Sequence, residues 1–293
     1  MINYRISFAG ADVAVQAQDQ SSSELLVLLF HGLLTPESAV AAPRLSLAFA
    51  EGSDTFSVFE DAVSIFEGQS KVQCAAILYD RVIFHLLDET GGGAALHCGS
   101  VIGEDRLILI PGQSGAGKST LIWWLTNCGY RYLTDELIFI DEQAAKPIEF
   151  FTRPVCLKSG ALPLIEACAT NVWQNMLRDR HGALLTPQLA GETDDNMDRK
   201  TKADRGSVPP HPALVLLPQY QAGSPLEIER ISTARLVGLL MQCHANARNL
   251  EDHGFRQIVG LARTTPAYLL RYDSFAGLAE AIDRTLTISS RNK

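Results

Sequence analysis

Gly112-Gln113-Ser114-Gly115-Ala116-Gly117-Lys118-Ser119, with Thr120 following, is a complete G-x-x-x-x-G-K-[ST] sequence. An apolar, β-branched run, Leu107-Ile108-Leu109-Ile110, leads into it and stops at Pro111. Thr120-Leu121-Ile122-Trp123-Trp124-Leu125-Thr126 follows and reads as a helix closing near Gly129. Strand, glycine turn and helix, in that order, are the setting in which this pattern cradles a polyphosphate. Gly112, Gly115 and Gly117 admit backbone conformations barred to other residues and bring N–H groups close to phosphate oxygens. The positive end of the helix dipole points to the same place. Lys118 is placed to reach the β- and γ-phosphates, and the Ser119 hydroxyl to ligate Mg²⁺. The expected ligand of residues 112–120 is therefore a nucleoside triphosphate with Mg²⁺.

The rest of the composition limits the class of protein around that loop. A chain of 293 residues can bury a sizeable core in one large domain or two small ones. With 46% hydrophobic and 20% charged residues it is globular, not disordered. A net charge of −8 argues against a general nucleic-acid binder. The longest apolar runs, such as residues 25–30, fall well short of a membrane span. Met1-Ile2-Asn3-Tyr4-Arg5 does not open a signal-peptide pattern, and the six cysteines are scattered without a C-x-x-C. Both features point to reduced thiols in a cytoplasm.

Working outward, residues 1–92 hold short apolar runs separated by Ser, Pro and Gly: Tyr4-Arg5-Ile6-Ser7-Phe8, Leu25-Leu26-Val27-Leu28-Leu29-Phe30, Leu45-Ser46-Leu47-Ala48-Phe49 and Phe56-Ser57-Val58-Phe59. Several alternate with period two, so this third reads as a small, mainly β, N-terminal domain. A helix followed by a strand through Phe84-His85-Leu86-Leu87 is expected near its end, with His31 and His85 as structural residues. Glu89-Thr90-Gly91-Gly92-Gly93 is the linker expected before a second domain, residues 93–293. There, Ala94-Ala95-Leu96-His97-Cys98-Gly99-Ser100-Val101-Ile102 forms a hairpin with the strand entering the loop. His97 falls either at the loop end of that hairpin or a strand's length from it.

After the loop helix, Gly129-Tyr130-Arg131-Tyr132-Leu133-Thr134-Asp135-Glu136 runs into two adjacent acids. An acid at a strand end beside a phosphate loop holds the metal or orients the attacking group, and two in a row permit both roles. Arg153 and Lys158 bracket a short strand, Val155-Cys156-Leu157, and each can touch phosphate or be a solvated surface charge. Helices are expected over residues 159–170, 233–245 (capped by Ser232), 253–263 and 274–286, with strands over 213–218 and 268–272. Residues 171–212 are the least regular, and the charged run 194–202 reads as a solvated loop or a lid. These residues support binding of a triphosphate with Mg²⁺ and leave two reactions open. One is a kinase, in which an acid takes the proton of an acceptor hydroxyl; the other is a hydrolase or nucleotide-driven switch. The acids follow Lys118 after one helix and one turn, which favours the compact kinase site.

Taken together, the chain resembles the HPr serine kinase family in its C-terminal catalytic domain, and most closely the HPr kinase-related branch (class A). The resemblance rests on Leu96-His97-Cys98-Gly99-Ser100, the loop 112–120, residues 129–136, Arg153-Pro154-Val155-Cys156-Leu157-Lys158 and Pro266-Ala267-Tyr268-Leu269-Leu270-Arg271-Tyr272. It implies an α/β fold of the HPr kinase and phosphoenolpyruvate carboxykinase type, carrying the P-loop. It also implies ATP- and Mg²⁺-dependent phosphorylation of a serine on a protein or peptide. Lys118 would neutralise the phosphates, Ser119 would hold Mg²⁺, Asp135 would be the general base and Glu136 a metal partner. His97 would stand beside the transferred phosphate. The acid pair is Asp-Glu where HPr kinases have Asp-Asp, so the roles of Asp135 and Glu136 can be exchanged, leaving Asp135 on the metal. The second signature segment of HPr kinases has no match in residues 159–212, so HPr itself is not the expected substrate. The related branch instead implies a precursor peptide or small peptide-chaperone protein as partner, with a homo-oligomer left open.

Overall fold

The computed structural model describes residues 1–38, 43–113, 115–142, 146–167, 172–187 and 211–291. The chain begins with a hairpin, β1 (Ile2–Phe8) and β2 (Ala11–Ala17), in which Tyr4, Ile6 and Phe8 face inward and Arg5 and Ser7 outward. Helix α1 (Gln20–Phe30), β3 (Leu34–Glu37), β4 (Leu45–Ala50), β5 (Thr55–Glu60), β6 (Val63–Gly68) and α2 (Lys71–Glu89) follow. The strands form one sheet in the order β3-β1-β2-β4-β5-β6. Residues of both helices join the apolar core of this sheet.

Two segments of this first third depart from the sequence-based expectation. The run Leu25–Phe30 is not a strand but the second half of α1. A six-residue apolar run fits a buried helix as well as a strand, and here the cap decides. Asp19 is extended at φ −145 and accepts the Ser22 N–H at 2.8 Å. Its other oxygen accepts the Phe49 N–H at 2.7 Å, tying the helix to β4. We expect Asp19→Ala to lower stability by about 1–2 kcal/mol, the range of a lost cap, as measured by urea unfolding. A change under about 0.3 kcal/mol would show that α1 is held by packing alone. The strand expected at residues 84–87 is likewise absent, because α2 runs unbroken for 19 residues. Ala75, Leu78, Val82 and Leu86 recur at helical spacing and are buried, whereas Phe84 is 46% exposed under the Arg81 guanidinium.

The expected linker is a clamped joint. Asn246 Nδ2 donates to the carbonyls of Thr90 at 3.2 Å and Gly93 at 3.0 Å. A Cβ on Gly93 would lie 2.3 Å from the Ile140 carbonyl oxygen, so only glycine fits. Ala95, Leu137, Phe139, Phe151 and Leu184 belong to the same apolar cluster as the N-terminal strands. The core therefore crosses the 92/93 boundary.

The second sheet carries the loop. After β7 (Gly93–Gly103) and β8 (Arg106–Pro111) come α3 (Lys118–Asn127), β9 (Arg131–Thr134), β10 (Leu137–Asp141) and β11 (Glu149–Phe150). Next are β12 (Val155–Lys158), α4 (Leu162–Ala167), β13 (Trp173–Asp179) and β14 (Gly182–Pro187). The chain closes with β15 (Pro212–Tyr220), β16 (Glu227–Arg230), α5 (Thr233–Gln242), α6 (Phe255–Thr264), β17 (Ala267–Tyr272) and α7 (Leu278–Arg291). The sheet order is β11-β10-β7-β8-β15-β17-β16, with β9 also paired to β7. β15 runs parallel to both β8 and β17, and the remaining ladders of this sheet are antiparallel. One face packs on α3 and α7, the other on α5 and α6. The architecture is mixed α/β.

Of residues 159–170, expected as one helix, 159–167 hold a short 3-10 turn and the six-residue α4, and 168–170 lie outside the described residues. The stretch from 171, read as irregular, contains the β13–β14 hairpin, which pairs with β12 in a third, three-stranded sheet. The charged run 194–202 lies outside the described residues. Among the described residues no helix is long and apolar enough to cross a membrane.

Candidate functional site

The loop leaves β8 at Pro111 and closes on α3 through Gly117, whose φ of 90° is left-handed. Gly115 has the same φ. A side chain at Gly117 would strain the backbone and press on Tyr272 Oη, 3.0 Å from an added Cβ. The Leu121 N–H bonds the Gly117 carbonyl at 2.9 Å, so the helix starts on the last glycine. Its first N–H groups then have no intrahelical partner and are directed toward the loop. Ser119 and Thr120 are half-buried in that first turn, and Gln113 is exposed. Ser114 lies outside the described residues.

The β7–β8 register settles where His97 sits. Cys98 pairs with Pro111, so His97 falls at the loop end of the hairpin. It is the one residue of β7 that is not buried. Its N–H donates to the Cys243 carbonyl at 2.7 Å, which fixes the backbone there. Lys118, buried at the first position of α3, places Nζ 3.0 Å from His97 Nε2. An ammonium can only donate, so Nε2 is the accepting nitrogen and Nδ1 carries the hydrogen. Nδ1 lies 3.2 Å from Glu136 Oε1 and donates to it.

The acid pair sits in the turn between β9 and β10. His97 pairs with Leu137 across the sheet, which sets Glu136 next to the imidazole. The Thr134 hydroxyl holds the turn by donating to the Phe151 carbonyl at 2.6 Å and accepting the Glu136 N–H at 3.1 Å. The two acids diverge. Asp135 is 1% exposed, and Arg153 Nε meets its Oδ1 at 3.1 Å while the Cys156 N–H meets its Oδ2 at 3.3 Å. Glu136 faces the loop side, with His97 on one oxygen and Arg153 on the other.

Arg153 is buried between the two carboxylates, and its guanidinium carbon lies 4.6 Å from the centre of the Tyr79 ring of α2. The Tyr132 hydroxyl donates to the Arg153 carbonyl at 2.7 Å. Read from sequence as a phosphate contact or a solvated surface charge, Arg153 is buried instead, with Nε on Asp135 and Nη2 on Glu136. Lys158, read in the same two ways, ends β12 exposed to solvent.

Charge follows the same geometry. Burial pushes the Glu136 carboxyl up, but Arg153, His97 and Lys118 together hold it down at about 2. Burial lowers the Lys118 ammonium, and Glu136 and Asp135 pull it back part of the way. Burial also works against the Arg153 charge, yet Asp135 and Glu136 outweigh it and Arg153 stays charged.

A set of hard oxygen donors, the Ser119 hydroxyl and the Glu136 carboxylate, suits Mg²⁺, which takes one or two protein oxygens and completes its shell with phosphates and water. Asp135, enclosed by Arg153, does not offer itself to a metal. Among the described residues no three His, Cys, Asp or Glu side chains converge as a protein-only metal cage.

The sequence pattern singled out the loop, His97, Asp135, Glu136 and Arg153, and the structure brings them together. It missed Tyr79 and Tyr132. Tyr79 lies in a helix of the first third and nothing in its own stretch marks it. A scan against family models finds no match for the chain, and a search of curated proteins also finds none.

Proposed function

We propose that the chain is an ATP- and Mg²⁺-dependent kinase that moves the γ-phosphoryl group to a serine hydroxyl of a protein or peptide. In this reading residues 93–293 form a catalytic domain of the HPr kinase and phosphoenolpyruvate carboxykinase kind, acting in the cytoplasm. None of the described cysteines is in a disulfide, in keeping with a reducing compartment. The observation that carries the reading is the chain of contacts Lys118–His97–Glu136–Arg153 at the mouth of a glycine loop.

Each group has a task that follows from its contacts. The loop N–H groups and Lys118 hold the β- and γ-phosphates and stabilise the charge that develops as the β,γ-bridging bond breaks. Ser119 and Glu136 would hold Mg²⁺, which would supply charge neutralisation on the same phosphates. With Lys118 engaged by phosphate, His97 Nε2 is released as an accepting atom beside it. The acceptor oxygen bonds the γ-phosphorus, its proton passes to Nε2, and the leaving oxygen departs with ADP. Glu136 fixes the tautomer and stabilises the imidazolium, the role of a carboxylate behind a histidine. Held down at about 2, Glu136 is too weak a base to take the proton itself. Asp135, which the family resemblance makes the base, is assigned instead to holding Arg153, because its oxygens face away from solvent.

The test compares transfer with nucleotide binding. With γ-labelled ATP, Mg²⁺ and a lysate of the source cell, label is expected on a polypeptide serine. His97→Gln should lower that transfer by roughly two to four powers of ten, with the MgATP dissociation constant within about threefold. A variant that transfers at the wild-type rate would remove His97 from the reaction.

A further inference from the structure

The two strands that join the loop strand in parallel both end in tyrosine. Tyr220 closes β15 and Tyr272 closes β17, opposite one another in register. Both stand against the loop. A Cβ on Gly117 would lie 3.4 Å from Tyr220 Cβ and 3.0 Å from Tyr272 Oη. The Gln221 N–H donates to the Tyr272 carbonyl at 3.0 Å and ties the strand ends together.

The rings form a supported platform. Tyr272 is buried and meets Tyr220 edge to face, with centroids 5.8 Å apart at 74°. Behind it, Tyr272 lies 6.0 Å from Phe275, which stacks on Trp124 of α3 at 4.8 Å and 8°. Four aromatic rings thus run from the loop along the helix it caps. At the loop end of this row, Tyr220 is left 58% exposed.

Ligands of open α/β sheets lie outside the carboxyl ends of the parallel strands. A triphosphate anchored on the loop would carry its ribose and base across this same edge. We infer that Tyr220 is the stacking platform for the base of the nucleotide, with Tyr272 as the positioning residue that holds its ring. The inference rests on the nucleotide reading above and adds the subsite that distinguishes ATP from a bare triphosphate. Stacking on one ring face tolerates any base, so this subsite supplies affinity rather than selection among bases.

Calorimetric titration of the full chain with MgATP and with Mg-tripolyphosphate tests it. Wild type should bind both, ATP more tightly. Tyr220→Ala should weaken ATP by roughly tenfold, within the range for one stacked base, and leave tripolyphosphate within about twofold. Tyr220→Phe, which keeps the ring, should bind both as wild type does. If Tyr220→Ala binds ATP unchanged, or loses both ligands equally, the base platform is overturned while the loop reading stands. If wild type binds neither ligand, the loop reading fails and the platform with it.

Discussion

Lys118→Ala is expected to lower phosphoryl transfer by roughly three powers of ten, the upper end for removing one transition-state charge partner. The size follows from the lack of a substitute among the described residues. Arg153 is occupied by Asp135 and Glu136, and Lys158 sits at the end of β12. Removing the ammonium takes away the buried cation that stands beside His97 at the start of α3. Because Lys118 is only 6% exposed, packing must be separated from charge. Lys118→Met keeps the apolar stem and should be as inactive as the alanine variant, with a melting temperature near that of wild type. Initial rates of label transfer at saturating MgATP measure this, and a methionine variant with half the wild-type rate would take Lys118 out of the reaction.

The second large effect is on stability. Arg153→Met should cost about 3–5 kcal/mol in denaturant unfolding, because it strands a buried carboxylate. The Asp135 side chain has no exposure, and among the described residues Arg153 is the cation within ion-pair distance of it. Pairing the change with Asp135→Asn should return much of the loss, since an amide carries no charge to strand. A pH signature accompanies it. The Glu136 carboxyl is held below its unfolded value of about 4.3, so its contribution to stability is present above that value. That contribution is lost as pH falls toward about 2. In Arg153→Met the strongest of the cations holding it down is gone, and the loss between pH 5 and 2 should shrink. A single variant within about 1 kcal/mol of wild type would show that water reaches Asp135.

The parts of the site that were legible in the sequence are those written locally. The glycine loop, the strand before it and the helix after it follow from residues 107–129 alone, because the turn chemistry and the apolar runs are contiguous. His97 could be named but not placed, since its position depends on which residue of β7 opposes Pro111, a register that only pairing fixes. The division between Asp135 and Glu136 was not legible either. Two adjacent acids look alike in sequence, and what separates them is Arg153, which arrives from beyond β10 and β11. The first third was misread where apolar runs were long enough for two periods, as at Leu25–Phe30, which the Asp19 cap turns into a helix. Its helix α2 also brings Tyr79 to Arg153, joining a segment of no evident chemistry to the centre of the site.

The most direct measurement of the central claim is the fate of the γ-phosphoryl group. Purified chain, γ-labelled ATP, Mg²⁺ and a lysate containing the acceptor are incubated, and free phosphate and protein-bound label are followed together. The account predicts label on a single polypeptide serine, absent with Lys118→Ala. Release of free phosphate at the full rate of ATP loss, with no labelled serine, would contradict it and make the chain a hydrolase or switch.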